Sequence, residues 1–188
     1  MLKQILIKTT EQKVLAHLLK HSGGFLYNRE IAKTLSINET ACSQSLKRLY
    51  SHQLLIKKEI GRNILYAINE NGSYINLLKS YAAALDIESL IRELKEVSKL
   101  IILFGSVAKG LYDITQESDV DLFIVTNQKQ KAQKIIDAFI NTKDYFFMPR
   151  AIIKSEIEYI KMQENDKKFF GEINKGIILW KKQYDEEF

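Results

Sequence analysis

The sequence predicts an α+β protein of two domains, and three observations carry that prediction. Helix-period and strand-period hydrophobic patterns alternate along all 188 residues. The basic charge is confined to one end: residues 1–70 hold 11 Lys and Arg against 5 Asp and Glu, whereas residues 71–188 hold 17 against 18. A wholly apolar run, Leu100 to Phe104, stops at Gly105-Ser106 and is followed by a second run that opens on two aspartates, Asp119 and Asp121. The expected division is a first domain over 1–70, a connecting helix over 71–98, a second domain over 99–182 and a polar tail over 183–188.

Composition narrows the class. Apolar residues make up 46% and charged residues 27%, a globular balance. No run of 18 apolar residues exists, and the first residues lack the apolar core and cleavage site of a signal peptide. One cysteine, Cys42, and three scattered histidines offer neither a disulfide nor zinc-site spacing. A cytoplasmic chain without membrane association is the expectation.

In the first part, Val14, Leu15, Leu18 and Leu19 fall at helical spacing, with Thr10 as the expected cap and Gly23-Gly24 as the stop. A second helix is expected over 29–35, capped by Asn28 and burying Ile31, Ala32 and Leu35. Ser36-Ile37-Asn38 is a tight turn. A third helix over 39–52 buries Ala41, Cys42, Ser45, Leu46 and Leu49. Two β-prone runs then flank Ile60-Gly61-Arg62-Asn63, a hairpin signal.

Three short helices, a tight turn between the last two, and a hairpin resemble the winged helix-turn-helix family of DNA-binding domains. The resemblance implies that the third helix reads double-stranded DNA. Its outward residues Thr40, Ser43 and Gln44 would reach base edges, and Lys47 and Arg48 would grip phosphates. Lys57, Lys58 and Arg62 would contact the backbone from the wing. The basic excess agrees with such a polyanion partner. A solvated basic surface, or a small helical domain for protein contact, is the other reading. The helical run over 73–97, with Asp86 as an interruption or a cap, is read as a connector, and a homodimer surface there stays open.

The second part carries the chemistry. Side chains two apart on a strand share a face, so Asp119 and Asp121 project together while Val120 faces the other way. Two carboxylates that close repel unless a cation joins them, and hard oxygen ligands select Mg²⁺ or Mn²⁺. Gly105 permits close backbone approach, and Ser106 supplies a hydroxyl at the start of a short helix, where N–H groups favour phosphate. Twelve residues separate Gly105-Ser106 from Asp119.

This order of apolar strand, Gly-Ser, spacer and Asp-x-Asp resembles the polymerase beta-like nucleotidyltransferase superfamily and its minimal members. The resemblance implies a mixed sheet with flanking helices and a bound nucleoside triphosphate, ATP being the expected one. Gly105 and Ser106 would hold the triphosphate, and Asp119 and Asp121 the metal ions as catalytic ligands. The implied reaction is transfer of a nucleoside monophosphate to an acceptor hydroxyl, with a protein acceptor or toxin partner among the options. One departure stands out. Members of the superfamily carry a third carboxylate on a later strand, yet the matching run, Phe146 to Ile153, holds no acid and has Arg150 in that place. Asp144 before it and Glu156 after it are the nearest substitutes. The alternative function is therefore a DNA-binding transcriptional regulator whose second domain is catalytically degenerate and senses nucleotide.

Beyond the Asp pair, a helix is expected over 129–141, a helix over 156–175 capped by Ser155 with Ile157, Ile160 and Phe169-Phe170 as its apolar residues, and a last strand over 177–180 whose Trp180 packs inward.

Overall fold

A computed structural model describes residues 5–112, 119–143 and 145–183. Two compact units result: Met1–Ala82 with Gly110–Glu117, and Ala83–Lys109 with Ser118–Phe188. The architecture is mixed α+β, with one antiparallel sheet and one mixed sheet. Among the described residues no helix is long and apolar enough to cross a membrane.

The first unit is a winged helix-turn-helix. Helix α1 (Thr10–Lys20) begins at a capping box: the Thr9 hydroxyl accepts the Gln12 amide at 3.2 Å, and the Gln12 side chain accepts the Thr9 amide at 3.0 Å. The cap is thus Thr9 rather than the expected Thr10, because Gln12 sits three residues beyond it. Strand β1 (Leu26–Tyr27) leads into helix α2 (Asn28–Leu35), whose cap position is Tyr27 and not Asn28. Glu30 fixes this start by accepting the Tyr27 amide at 3.2 Å. Ser36 takes a left-handed turn with φ 52°, and Asn38 caps helix α3 (Glu39–Ser51) by accepting from Thr40 and Ala41.

Strands β2 (Leu55–Ile60) and β3 (Asn63–Ile68) form the predicted hairpin, registered from Leu55↔Ile68 to Ile60↔Asn63. Gly61 takes φ 59° in its two-residue loop, as such loops require. Strand β1 adds to β3, giving the order β1-β3-β2. The core draws Val14, Leu18 and Leu19 from α1, Ile31 from α2, and Cys42, Leu46 and Leu49 from α3. Beyond Leu55 the wing strand β2 is exposed.

The run read as one connecting helix is two: α4 (Ile75–Asp86) and α5 (Glu88–Leu94). The break falls after Asp86, whose carboxylate accepts the Phe146 amide at 2.7 Å and the Phe147 amide at 3.3 Å, and Ile87 takes the cap position of α5.

The second unit is built on strands β4 (Leu100–Phe104), β5 (Asp119–Val125), β6 (Met148–Lys154) and β7 (Ile177–Lys181), in the order β6-β5-β4-β7. Strand β5 runs antiparallel to β4 and parallel to β6, reached through helix α7 (Lys129–Thr142). The one-turn helix α6 (Gly105–Ala108) follows β4 directly. On one sheet face, Ile102, Phe123 and Val125 pack with Met162 and Ile173 from helices α8 (Glu156–Asn165) and α9 (Lys167–Asn174).

The helix expected over 156–175 is therefore broken. Asp166 leaves helical geometry and accepts the Phe169 amide at 3.1 Å, capping α9. Ser155 caps α8 as expected, but Ile157 and Ile160 are 67% and 59% exposed, and Tyr159 and Met162 pack inward instead. Trp180 packs as predicted: its indole N–H donates to the Ser98 carbonyl at 3.2 Å, with the Lys95 ammonium 5.1 Å from the ring centroid.

Candidate functional site

Strand β5 sets the geometry. Val120 is fully buried on one side, so Asp119 and Asp121 project together on the other, both half-buried. The register Phe104↔Asp121 brings the end of β4 beside the second carboxylate. There the chain turns at Gly105 with φ 78°, and a Cβ on that residue would collide with the Asp121 carboxylate. Only glycine satisfies both conditions. Ser106 follows at the exposed start of α6.

The neighbouring strand brings the feature that distinguishes this site. Arg150 of β6 is in register with Asp121, and its Nη1 lies 2.8 Å from Asp119 Oδ2. The Arg150 side chain is 69% exposed and that of Asp119 only 18%. Burial holds the Asp121 carboxyl above its ordinary range, the nearby Asp119 charge adds to this, and Arg150 opposes it. The two acids thus sense each other across one small surface.

Among the described residues no third acid joins them. Among the described residues no group of three or more His, Cys, Asp and Glu could hold a metal. Asp144 lies outside the described residues. Glu156 does not substitute: it follows the far end of β6, where Val125 pairs with Lys154, and its carboxylate binds Lys99 and Asn127 at 2.6 and 2.5 Å. A cavity of about 400 Å³, walled by Leu100, Val125 and Tyr159, also lies at that end and not beside the aspartates. The Asp pair still fits a divalent cation. It offers hard oxygens on one face beside a backbone gap that a Cβ would fill, and a Mg²⁺ held there would take its remaining ligands from phosphate and water.

On the first unit, Thr40, Gln44 and Lys47 are exposed along one face of α3, and Ser43 is half-buried. Arg48 is exposed but engaged, its Nη1 2.7 Å from Glu11 Oε1. On the wing, Lys57 pairs with Glu59 at 3.1 Å, while Lys58 and Arg62 are exposed. The Glu11 partner went unread in the sequence, since nothing local links two residues 37 apart.

Fold and site together define a winged-helix module joined to a nucleotidyltransferase-type domain. Residues 87–175 match the nucleotidyltransferase domain family, and that stretch is a domain of this kind. No curated protein sequence matches the chain. Solved structures similar to it include the apo form of a ZitR mutant from Lactococcus lactis, at 16% identity and TM-score 0.39, covering 73% of this chain and 83% of that one. Another is the adhesin competence repressor AdcR from Streptococcus pyogenes, at 18% identity and TM-score 0.38, covering 76% and 84%. A predicted DNA-binding transcriptional regulator from E. coli is similar at 20% identity and TM-score 0.33, covering 44% and 80%.

Proposed function

We propose that this chain is a DNA-binding protein whose second domain takes a metal-bound nucleoside triphosphate, ATP first among them, and transfers its nucleoside monophosphate to an acceptor hydroxyl. One observation carries the nucleotide reading: Asp119 and Asp121 share a strand face beside the Cβ-less turn at Gly105. In this reading Asp119 and Asp121 hold the ion, and Ser106 with the Gly105 backbone holds the phosphates. A bound Mg²⁺ or Mn²⁺ supplies charge neutralisation on the leaving pyrophosphate. The acceptor oxygen bonds the α-phosphorus as the bond to pyrophosphate breaks. The hydroxyl proton passes to solvent water, since β6 offers no carboxylate to take it. Calorimetry with ATP and Mg²⁺ tests binding, and transfer of labelled nucleotide to candidate hydroxyl acceptors, a co-purifying protein among them, tests turnover. The absence of both binding heat and transfer would remove the reading.

A second reading is favoured by Arg150, which stands where the base is expected: a transcriptional regulator that binds nucleotide without turning it over. In both readings Thr40, Ser43 and Gln44 face base edges, while Lys47, Lys58 and Arg62 face phosphates, in the cytoplasm and with a second copy on a two-fold DNA site. A gel shift on upstream DNA that weakens with salt is the expected result. Unchanged mobility at low salt on both native and random DNA counts against DNA binding.

A further inference from the structure

We propose that Arg150 is a resident cation of the aspartate site, standing where a second metal ion would otherwise be needed, so that the site takes a nucleoside triphosphate with one divalent ion and grips its phosphates through the guanidinium. This rests on the nucleotide reading above and deepens it. The parallel register Asp121↔Arg150 fixes the arginine beside the pair, and the 2.8 Å contact from Nη1 to Asp119 Oδ2 occupies an oxygen that a second ion would use. A guanidinium carries five N–H donors in a rigid fork that matches phosphate geometry. The side chain is 69% exposed, so the fork reaches solvent while still holding Asp119.

Charge counting leads to the same conclusion. Asp119, Asp121 and Arg150 together carry one negative charge, where three carboxylates would carry three. One divalent ion already turns this site positive and complementary to a triphosphate. A second would have to displace Arg150 from Asp119 and sit against its charge. Mg²⁺ commonly binds through one or two carboxylates plus substrate phosphates, which is what remains here.

The test counts ions per bound nucleotide by Mn²⁺ electron paramagnetic resonance, using the full chain and a non-hydrolysable ATP analogue, with nucleotide affinity measured alongside. Wild type is expected to hold one Mn²⁺. Arg150→Asp is expected to hold two. Arg150→Ala is expected to keep one ion and lose nucleotide affinity about tenfold, which Arg150→Lys restores in part, since a lysine brings the charge without the fork. Melting curves for each variant establish that the domain is folded, and Arg150→Lys keeps the comparison open if the smaller side chain unfolds it. Two ions in wild type, one ion in a folded Arg150→Asp, or full affinity in Arg150→Ala would each overturn the proposal and leave the nucleotide reading standing. No binding of Mn²⁺ or of the analogue by wild type would overturn both.

Discussion

At Gly105 two constraints meet in one residue: a φ of 78° and a neighbouring carboxylate where a Cβ would go. Gly105→Ala is expected to destabilise the second unit by about 1–3 kcal/mol and to weaken nucleotide binding, because Asp121 must move to make room. Thermal melting and nucleotide calorimetry on the same variant check both effects. His17 sets a different residue-scale expectation. Burial lowers its pKa from 6.5 to about 4, helped by His21 and Lys20, and the His17 and His21 ring centroids are 4.3 Å apart. The folded form therefore resists a proton that the unfolded chain accepts. Stability is full above pH 6.5 and falls as the pH drops from 6.5 towards 4. With allowance for solvent reaching the ring, the loss should be about 1–2 kcal/mol. Urea denaturation at both ends of that range should show it, and His17→Gln should flatten it. The aspartate site was legible because its logic is local: a strand of period two and a Gly-Ser turn need no distant partner to be read. The arginine was legible as a departure, but its pairing with Asp119 was not, because a parallel register between strands joined through a helix is not written in either strand.

Among the elements, helix α3 is fixed at its start and restrained along its face. Asn38→Ala removes the bonds from its side chain to the Thr40 and Ala41 amides, at 2.8 and 3.4 Å, and should cost about 1 kcal/mol, read by denaturant melting. Further along, Glu11 holds Arg48 at 2.7 Å. Glu11→Gln should release the guanidinium and tighten DNA binding at low salt, whereas Lys47→Ala should weaken it and reduce the salt slope by about one. Gel shifts across a salt series distinguish the two. The Gly61 hairpin and the Ser155 cap of α8 were read from those residues themselves, whereas the caps of α1 and α2 fall one residue before Thr10 and Asn28. The break in the helix over 156–175 was not legible. Ile157 and Ile160 mimic a buried stripe, and only the aromatic layer of Phe123, Tyr159 and Phe169 decides that Tyr159 faces inward.

For the molecule as a whole, the segment Gly110 to Tyr112 returns to the first unit between the Gly-Ser turn and the Asp pair. Lys79, almost wholly buried, donates to the Tyr112 carbonyl at 2.5 Å and to Glu70 at 3.1 Å, and Ser22 donates to Glu70 as well. Glu70→Ala leaves that buried ammonium without its acid and should destabilise the first unit by about 2–4 kcal/mol, less than a fully buried pair because Glu70 is partly exposed. Composition cannot reveal this closure, since Lys79 and Tyr112 are 33 residues apart and the turn of charge near residue 70 falls before either. The most direct measurement is calorimetric titration of ATP with Mg²⁺ into the whole chain and into Asp121→Asn. Saturable binding by the wild type, lost in the variant while its melting temperature holds, is the expected result. Equal binding by both, or none by the wild type, would contradict a nucleotide site built on the aspartate pair.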